Sequence, residues 1–244
     1  MKRNRRTAFI LAAGLGTRLK ELTSDKPKAL VSICNKPLLE VVLEDLIKQG
    51  FNHIVVNIHH FGEQIIDFLK CRNDVEIEIS DERPLLMDTG GAILQALPYF
   101  TQSEAVLVHN VDVLTDVDLK EFYDDFVQSD DAAWLLTQER NSKRKLVFDN
   151  QDNFLGRFNV ETNYYDGKGA ILNNCKLLSF SGIHLFKPQY FKEFETRPCY
   201  VFELYQKIAE NHKVTSKLIQ PGYWFDLGTQ EQLKNAELWL SSKR

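Results

Sequence analysis

The chain has 244 residues, of which 43% are hydrophobic and 26% charged, and its formal net charge is -4. This composition is typical of a globular protein with a sizeable core and excludes a disordered or low-complexity chain. The acidic balance argues against a nucleic-acid-binding surface, and no apolar run approaches the roughly 18 residues of a membrane span.

The first part of the chain alternates strand-like and helix-like segments. Strands are predicted over Ala8–Leu11, His53–Ile58, Val75–Ile79, Ala105–Val108 and Ala132–Thr137. Helices are predicted over Pro37–Gln49, Glu63–Lys70, Gly91–Leu97 and Asp118–Val127. This order predicts an α/β fold with a Rossmann-like, mixed and mainly parallel sheet flanked by helices.

The character of the sequence changes after about Gln138. Antiparallel strands are predicted over Leu146–Phe148, Phe154–Phe158 and Leu177–Phe186, and C-terminal helices over Phe202–Asn211 and Gln230–Leu240. A loop over a cleft is predicted at Asp166–Asn174, which is rich in glycine, asparagine and aspartate. We expect both parts to share one continuous sheet.

The cysteine pattern predicts the redox state of the compartment that contains the protein. The four of them are widely spread and form no C-x-x-C pair. This pattern predicts free thiols in a reducing compartment. No N-terminal run resembles a signal peptide, so we expect a cytoplasmic protein.

A loop of small residues follows the first predicted strand. Its small residues are Ala12, Ala13, Gly14 and Gly16. They let a ligand approach the backbone closely, and N–H groups in such a loop can hold phosphate oxygens. Arg18 and Lys28 follow and add positive charge, the first as a planar fork and the second as a point charge. Together these features predict a polyphosphate site.

This segment resembles the signature of the sugar-1-phosphate nucleotidyltransferases, roughly L-A-[AG]-G-x-G-[TS]-R-L-x-P-L-T followed by P-K-P. The matching positions are Leu11, Ala12, Ala13, Gly14, Gly16, Thr17, Arg18, Leu19, Leu22, Thr23, Pro27 and Lys28. The chain departs from the signature at Glu21 and Ala29, where the family usually has proline. Those prolines shape the loop, so the departures leave the reaction class unchanged.

The resemblance assigns roles to the matching residues. It implies nucleotide binding by Leu11, Ala12, Ala13, Gly14, Gly16 and Thr17, and catalytic roles for Arg18 and Lys28. It also implies one nucleotidyltransferase domain over residues 1–244. Within it, about 7–138 would bind the nucleotide and about 139–244 the sugar phosphate.

Two aspartates are candidates for metal binding. Asp112 follows a buried strand, and Asp226 lies in the string Trp224-Phe225-Asp226-Leu227-Gly228-Thr229. Ligands of open parallel sheets lie outside the carboxyl ends of the strands, where Asp112 is expected. The family has comparable N-G-D and W-x-D-[IVL]-G-T strings, so the resemblance implies that both aspartates bind Mg²⁺. The chain has Val111 where the family has glycine.

Further matches lie elsewhere in the chain. Thr89 and Gly90 match a family stretch that borders the base and ribose, and a helix N-terminus there would offer free N–H donors. Gly182 matches a family strand glycine against which the sugar lies. Gly228 and Thr229 are typical of the turn and N-cap that begin a last helix.

The implied reaction joins a nucleoside triphosphate to a sugar-1-phosphate and releases pyrophosphate. The short chain is similar to the short bacterial enzymes of the N-acetylmuramate-1-phosphate uridylyltransferase type, which implies UTP and that sugar phosphate or a related one. Guanylyl transfer to mannose- or heptose-1-phosphate stays open, as does a non-catalytic pyrophosphorylase-like domain. We expect a monomer or weak homo-oligomer that binds neither nucleic acid nor membrane.

Overall fold

The computed structural model describes residues 5–167 and 174–242. Its strands are β1 (Thr7–Leu11), β2 (Ser32–Ile33), β3 (Lys36–Pro37), β4 (His53–Ile58), β5 (Glu76–Asp81), β6 (Val106–Asn110), β7 (Val113–Thr115), β8 (Ala133–Gln138), β9 (Arg144–Phe148), β10 (Phe154–Asn159), β11 (Tyr164–Gly167), β12 (Lys176–Phe186), β13 (Val214–Leu218) and β14 (Trp224–Asp226). Its helices are α1 (Leu38–Lys48), α2 (Gly62–Leu69), α3 (Asp88–Ala96), α4 (Leu119–Gln128), α5 (Val201–Ile208) and α6 (Gln230–Ser241). The predicted α/β class, with a mixed sheet and flanking helices, is confirmed.

The described residues form two compact units. The first unit contains residues 5–86, 109–120 and 221–242, and the second contains 87–108, 121–167 and 174–220. The expected division into a nucleotide half and a sugar half near residue 138 stays a prediction. Most of the loop predicted at Asp166–Asn174 lies outside the described residues, and its first two residues belong to β11.

The first unit is built on parallel strands. β4 pairs in parallel with β1 on one side and with β5 on the other, so that Ile54 lies opposite both Ala8 and Ile77. Every residue of β4 is buried. Strands covered in this way are expected to consist of nearly continuous apolar runs. The polar residues that interrupt the run are therefore conspicuous, and Asn57 is one of them.

Helix α1 shows how local sequence sets an element's end. The helix ends at Lys48, and Gly50 follows with a φ of +88°. The N–H groups of Gly50 and Phe51 donate to the carbonyls of Ile47 and Leu46, at 3.0 Å each. This left-handed ending satisfies the last carbonyls of the helix and favours glycine. The predicted end of the helix at this glycine is confirmed.

The second unit is mostly antiparallel. β8 pairs in parallel with β13 and antiparallel with β12. β9 is antiparallel to both β12 and β10, and β10 is antiparallel to β11. The antiparallel pairing predicted for the second half of the chain is thus confirmed. In the ranges that the structure describes, every helix is too short or too polar to span a bilayer.

Several short strands escaped prediction, among them β7 and β14. β7 and β14 have three residues each and pair antiparallel, with Asp226 opposite Val113. Three residues are too few for an alternating pattern to stand out. The pairing matters because it joins segments more than a hundred residues apart in the chain.

Candidate active site

The loop after β1 contains two glycines with different surroundings. A Cβ added at Gly14 would meet no atom within 4 Å, so the space beside this residue is open. Gly16 has a φ of +67°, and a Cβ there would lie 2.9 Å from Thr23 Cγ2. The hydroxyl of Thr23 also donates to the Gly16 carbonyl at 3.1 Å. Gly16 therefore shapes the turn before Arg18, whereas Gly14 leaves room for a ligand.

The start of this loop is held by a buried side chain that the sequence analysis missed. Asn57 Oδ1 accepts hydrogen bonds from the N–H groups of Ala12 and Ala13, at 2.6 and 3.1 Å. Asn57 Nδ2 donates to Glu82 Oε1 at 2.7 Å. Two of the loop's N–H groups are therefore already used within the protein. A polar residue inside the apolar run of β4 was the available signal.

Lys28 and Asp112 form a partly buried ion pair. The Lys28 ammonium, only 8% exposed as a residue, contacts the Asp112 carboxylate. Lys28 begins a short 3₁₀ turn after Pro27. Asp112 comes two residues after β6, and Val111 N–H donates to the Leu11 carbonyl at 3.2 Å. The end of β1 and the predicted metal ligand are therefore adjacent in the first unit.

Strand β14 brings Asp226 close to the segment that contains Asp112. Leu227 N–H donates to the Asp112 carbonyl at 2.8 Å, and Gly228 N–H donates to Asp226 Oδ1 at 2.9 Å. A Cβ at Gly228 would lie 2.8 Å from both Asp226 Oδ1 and Arg18 Nη2. Because Gly228 has no side chain, the guanidinium of Arg18 can lie beside it, close to the Asp226 carboxylate.

The first unit thus brings together the two predicted cations and the two predicted metal ligands. Thr229 is the N-cap of α6 and accepts from Gln232 N–H at 3.2 Å, which confirms the predicted cap.

His109 lies near the end of β6, and burial lowers its pKa to about 4. Its Nδ1 lies 2.8 Å from the Asn110 carbonyl. This imidazole is therefore neutral at pH 7 and adds no charge to the site.

A second group with metal-ligand geometry lies at the opposite ends of the strands. His53, Glu76 and Glu78 have their ligand atoms within 4.8 Å of one another. The guanidinium of Arg5 lies 3.0 Å from Glu76 and 3.8 Å from Glu78. His53 also contacts Glu78 at 2.7 Å and Thr7 Oγ1 at 3.0 Å. This polar network already contains its own cation and lies at the amino ends of β4 and β5.

The predicted base and sugar contacts lie in the second unit. The helix predicted to begin at Gly91 begins at Asp88, because the chain turns at Asp88 with a φ of +56°. Thr89 Oγ1 accepts from Val201 N–H at 3.1 Å, and Gly90 N–H donates to the Cys199 carbonyl at 2.8 Å. The Gly90 N–H is therefore not the free donor that was expected. The assignment of Thr89 and Gly90 to nucleotide binding stays a prediction.

Gly182 interrupts the pairing of β12 with β8. Its φ is +79°, and the register between the strands shifts between Phe180 and His184. A bulge of this kind favours glycine and often marks a place where a ligand or another backbone segment approaches closely. Its assignment as a sugar contact stays a prediction, consistent with this geometry.

Comparison with known proteins places this chain in a class of enzymes. The family model described as nucleotidyl transferase matches residues 7–146. The chain belongs to the nucleotidyl transferase family, and it is an enzyme of the sugar-1-phosphate nucleotidyltransferase class. This confirms the resemblance found in the sequence.

Relatives of this class are similar over most of the chain. An N-acetylmuramate alpha-1-phosphate uridylyltransferase from Neisseria meningitidis serogroup B is 32% identical over 94% of this chain and 96% of the relative. A mannose-1-phosphate guanylyltransferase catalytic subunit beta from Xenopus tropicalis is 28% identical over 91% of this chain and 61% of the relative. One similar crystal structure is of a Bacillus anthracis protein described as a glucose-1-phosphate thymidylyltransferase. It has a TM-score of 0.79 at 16% identity and covers 96% of this chain and 94% of its own. That structure supports the fold alone.

Proposed function

We propose that the protein joins UTP to N-acetylmuramate-1-phosphate, or to a related sugar-1-phosphate, and releases pyrophosphate. The observation that carries the proposal is the adjacency of the Lys28–Asp112 pair to Asp226 and Arg18 within the first unit. Two cations beside two carboxylates suit a reaction in which one phosphate attacks another. The name of the Neisseria relative supports the choice of nucleotide and sugar.

In this reaction an oxygen of the sugar phosphate attacks the α-phosphorus of the triphosphate. The bond from the α-phosphorus to the bridging oxygen breaks, and pyrophosphate leaves in line with the attack. Arg18 stabilises the leaving pyrophosphate, and Lys28 holds the α-phosphate or the incoming sugar phosphate. No protein nucleophile takes part, since positioning and charge neutralisation lower the barrier.

Mg²⁺ fits the residues present. It prefers hard oxygen ligands and is usually held by one or two carboxylates together with substrate phosphates. Asp112 and Asp226, whose segments are joined by the Leu227–Asp112 hydrogen bond, would hold the ion. A bound ion supplies charge screening between the two anionic substrates. Asp112 also contacts the Lys28 ammonium, so an ion held there would share this carboxylate with the lysine.

Guanylyl transfer to mannose-1-phosphate is the second candidate. It is favoured by the similarity to the Xenopus guanylyltransferase subunit, of which this chain spans 61%. The same four charged residues would serve it, so the two candidates differ in the base and sugar contacts. The non-catalytic alternative predicts loss of charged site residues, whereas all four are present.

The deciding measurement is pyrophosphate release with Mg²⁺ across four nucleoside triphosphates and a panel of sugar-1-phosphates. We expect release that requires UTP and N-acetylmuramate-1-phosphate, or a related sugar phosphate, together. Release that requires GTP and mannose- or heptose-1-phosphate would replace the proposal by the second candidate. Silence across the grid, from folded protein, would contradict both.

We further propose that the protein works in the cytoplasm. We propose that it is a monomer or weak homo-oligomer. The four cysteines are free thiols, which supports a reducing compartment. Light scattering at two protein concentrations checks the oligomeric state, and a stable dimer at both would contradict it.

A further inference from the structure

The side chain of Asn57 ties together the ends of three parallel strands. It lies in β4, accepts from the first residues of the loop after β1, and donates to the residue that follows β5. The residue is 3% exposed and Glu82 is 1% exposed, so water has little access to these hydrogen bonds. Buried polar groups cost free energy unless they are paired, and here the amide uses both its acceptor and its donor.

We infer that Asn57 is a positioning residue for the transfer reaction. By fixing Ala12 and Ala13, it sets the path of the loop that continues through Gly14 and Gly16 to Arg18. This inference rests on the proposed role of that loop in binding the triphosphate. Asn57 acts through the loop backbone and contacts no reacting atom.

Glu82 is itself fixed in place through its backbone. Its backbone N–H donates to the Ile58 carbonyl at 2.8 Å, and its carbonyl lies 2.7 Å from His59 Nδ1. Both ends of the residue's backbone are thereby tied to the chain at the end of β4. A side chain held in this way restricts Asn57 to one orientation, and Asn57 in turn restricts the loop.

The position requires an amide of this length. One oxygen must accept two N–H groups while the same side chain donates to a carboxyl group. An aspartate would keep the acceptor but would place a second carboxylate beside Glu82. A serine is too short to span the three strand ends, and two buried N–H groups would lose their partner.

The chain offers a matched control at the other edge of the same strands. Asn52 Oδ1 accepts from Arg6 N–H at 3.1 Å, just before β4 and β1 begin. This contact also joins an asparagine to a neighbouring backbone N–H group, but it lies at the amino ends, away from the loop. An effect that comes only from lost hydrogen bonding between strands would appear in variants of Asn52 as well as in variants of Asn57.

The test exchanges donor and acceptor across the Asn57–Glu82 contact. Four variants are compared with the wild type: Asn57→Asp, Glu82→Gln, the double variant and Asn52→Ala. Kd for each triphosphate is measured by calorimetry, and KM and kcat by pyrophosphate release. The double variant restores an amide donor opposite a carboxylate acceptor, with their positions reversed.

We expect Asn57→Asp to weaken triphosphate binding about tenfold or more, while the KM for the sugar phosphate changes by about twofold at most. The double variant should return to within about threefold of Glu82→Gln, and Asn52→Ala should match the wild type. Should Asn57→Asp not fold, Asn57→Ser is measured in its place with the same expected weakening. Unchanged triphosphate binding in folded Asn57 variants, or a double variant as weak as Asn57→Asp, would overturn the inference.

The outcomes separate this inference from the proposed function. A wild type that transfers nucleotide while Asn57→Asp keeps its triphosphate KM contradicts the inference alone. A wild type that binds a triphosphate but transfers to no sugar phosphate contradicts the proposed function, and the calorimetric comparison still decides the role of Asn57. A wild type that binds no triphosphate contradicts both.

Discussion

Two sets of buried polar groups, one in each unit, differ in how they are paired. In the first unit, Asn57, Glu82 and Lys28 are buried and each contacts a polar partner. In the second unit, His184 and the hydroxyl of Tyr205 are buried without a hydrogen-bond partner among the described residues, and their rings pack edge to face at 5.5 Å. The contacts of Asn57 and Lys28 thus satisfy buried polar groups where charged substrates would bind, whereas His184 and Tyr205 contact each other through their rings.

Two glycines, one in each unit, differ in the space beside them. Gly14 in the first unit borders open space, whereas a Cβ at Gly91 in the second unit would lie 2.4 Å from the Arg197 carbonyl oxygen. One glycine leaves room for a ligand, and the other lets two backbone segments approach each other. Substitutions can therefore separate a loss of binding from a loss of stability.

The largest effect is expected from Asp226→Asn. An asparagine oxygen can still accept from Gly228 N–H, so the local structure should persist while the negative charge is lost. We expect pyrophosphate release to fall by about 10² or more, with little change in the free energy of unfolding. Asp130→Asn, at an exposed position in the second unit, is the control and should keep full activity. Full activity in Asp226→Asn would refute its role in metal binding.

Asp112→Asn is a less clean test of the same site. The buried Lys28 ammonium would lose its counter-charge, so this variant should lose stability as well as activity.

The next effect is on stability and compares two glycines. Gly91→Ala should lower the free energy of unfolding by about 3 kcal/mol, because the added methyl group meets backbone that cannot move aside easily. Gly14→Ala should leave the free energy of unfolding nearly unchanged and weaken triphosphate binding instead. Urea unfolding and calorimetry measure the two quantities. Equal stability losses in both variants would remove the distinction between the glycines.

The smallest effect concerns acid sensitivity in the second unit. Burial lowers the pKa of His184 to about 3, so the unfolded chain binds a proton near pH 6.5 that the folded chain does not. Stability should therefore fall as the pH drops from about 6.5 towards 3, by about 2 kcal/mol at pH 5. His184→Leu should remove this part of the pH dependence, and His60→Gln, at an exposed position, should keep it. Urea unfolding at pH 7.5 and 5.0 tests both, and identical slopes for wild type and His184→Leu would contradict the assignment.

Local sequence was sufficient for most of the longer elements but not for the contacts of Asn57. The limits of β4, the end of α1 and the cap of α6 follow from apolar runs, Gly50 and Thr229, which act on their own neighbours. The Asn57 contacts to Ala12 and Ala13 join residues about 45 positions apart, and no local pattern encodes that distance. The hydrogen bond from Gly90 N–H to the Cys199 carbonyl could not be predicted for the same reason.

The hydrogen bond from Leu227 to Asp112 also has a consequence for the order of assembly during synthesis. A ribosome delivers the chain from its amino end, at about 5–20 residues per second, and early segments can begin to fold first. The small-residue loop, Lys28 and Asp112 emerge early, but β14 and Asp226 arrive more than a hundred residues later. The charged centre of the first unit is therefore completed only after the whole second unit has been made, so the nascent chain contains Asp112 without Asp226 while that unit is synthesised.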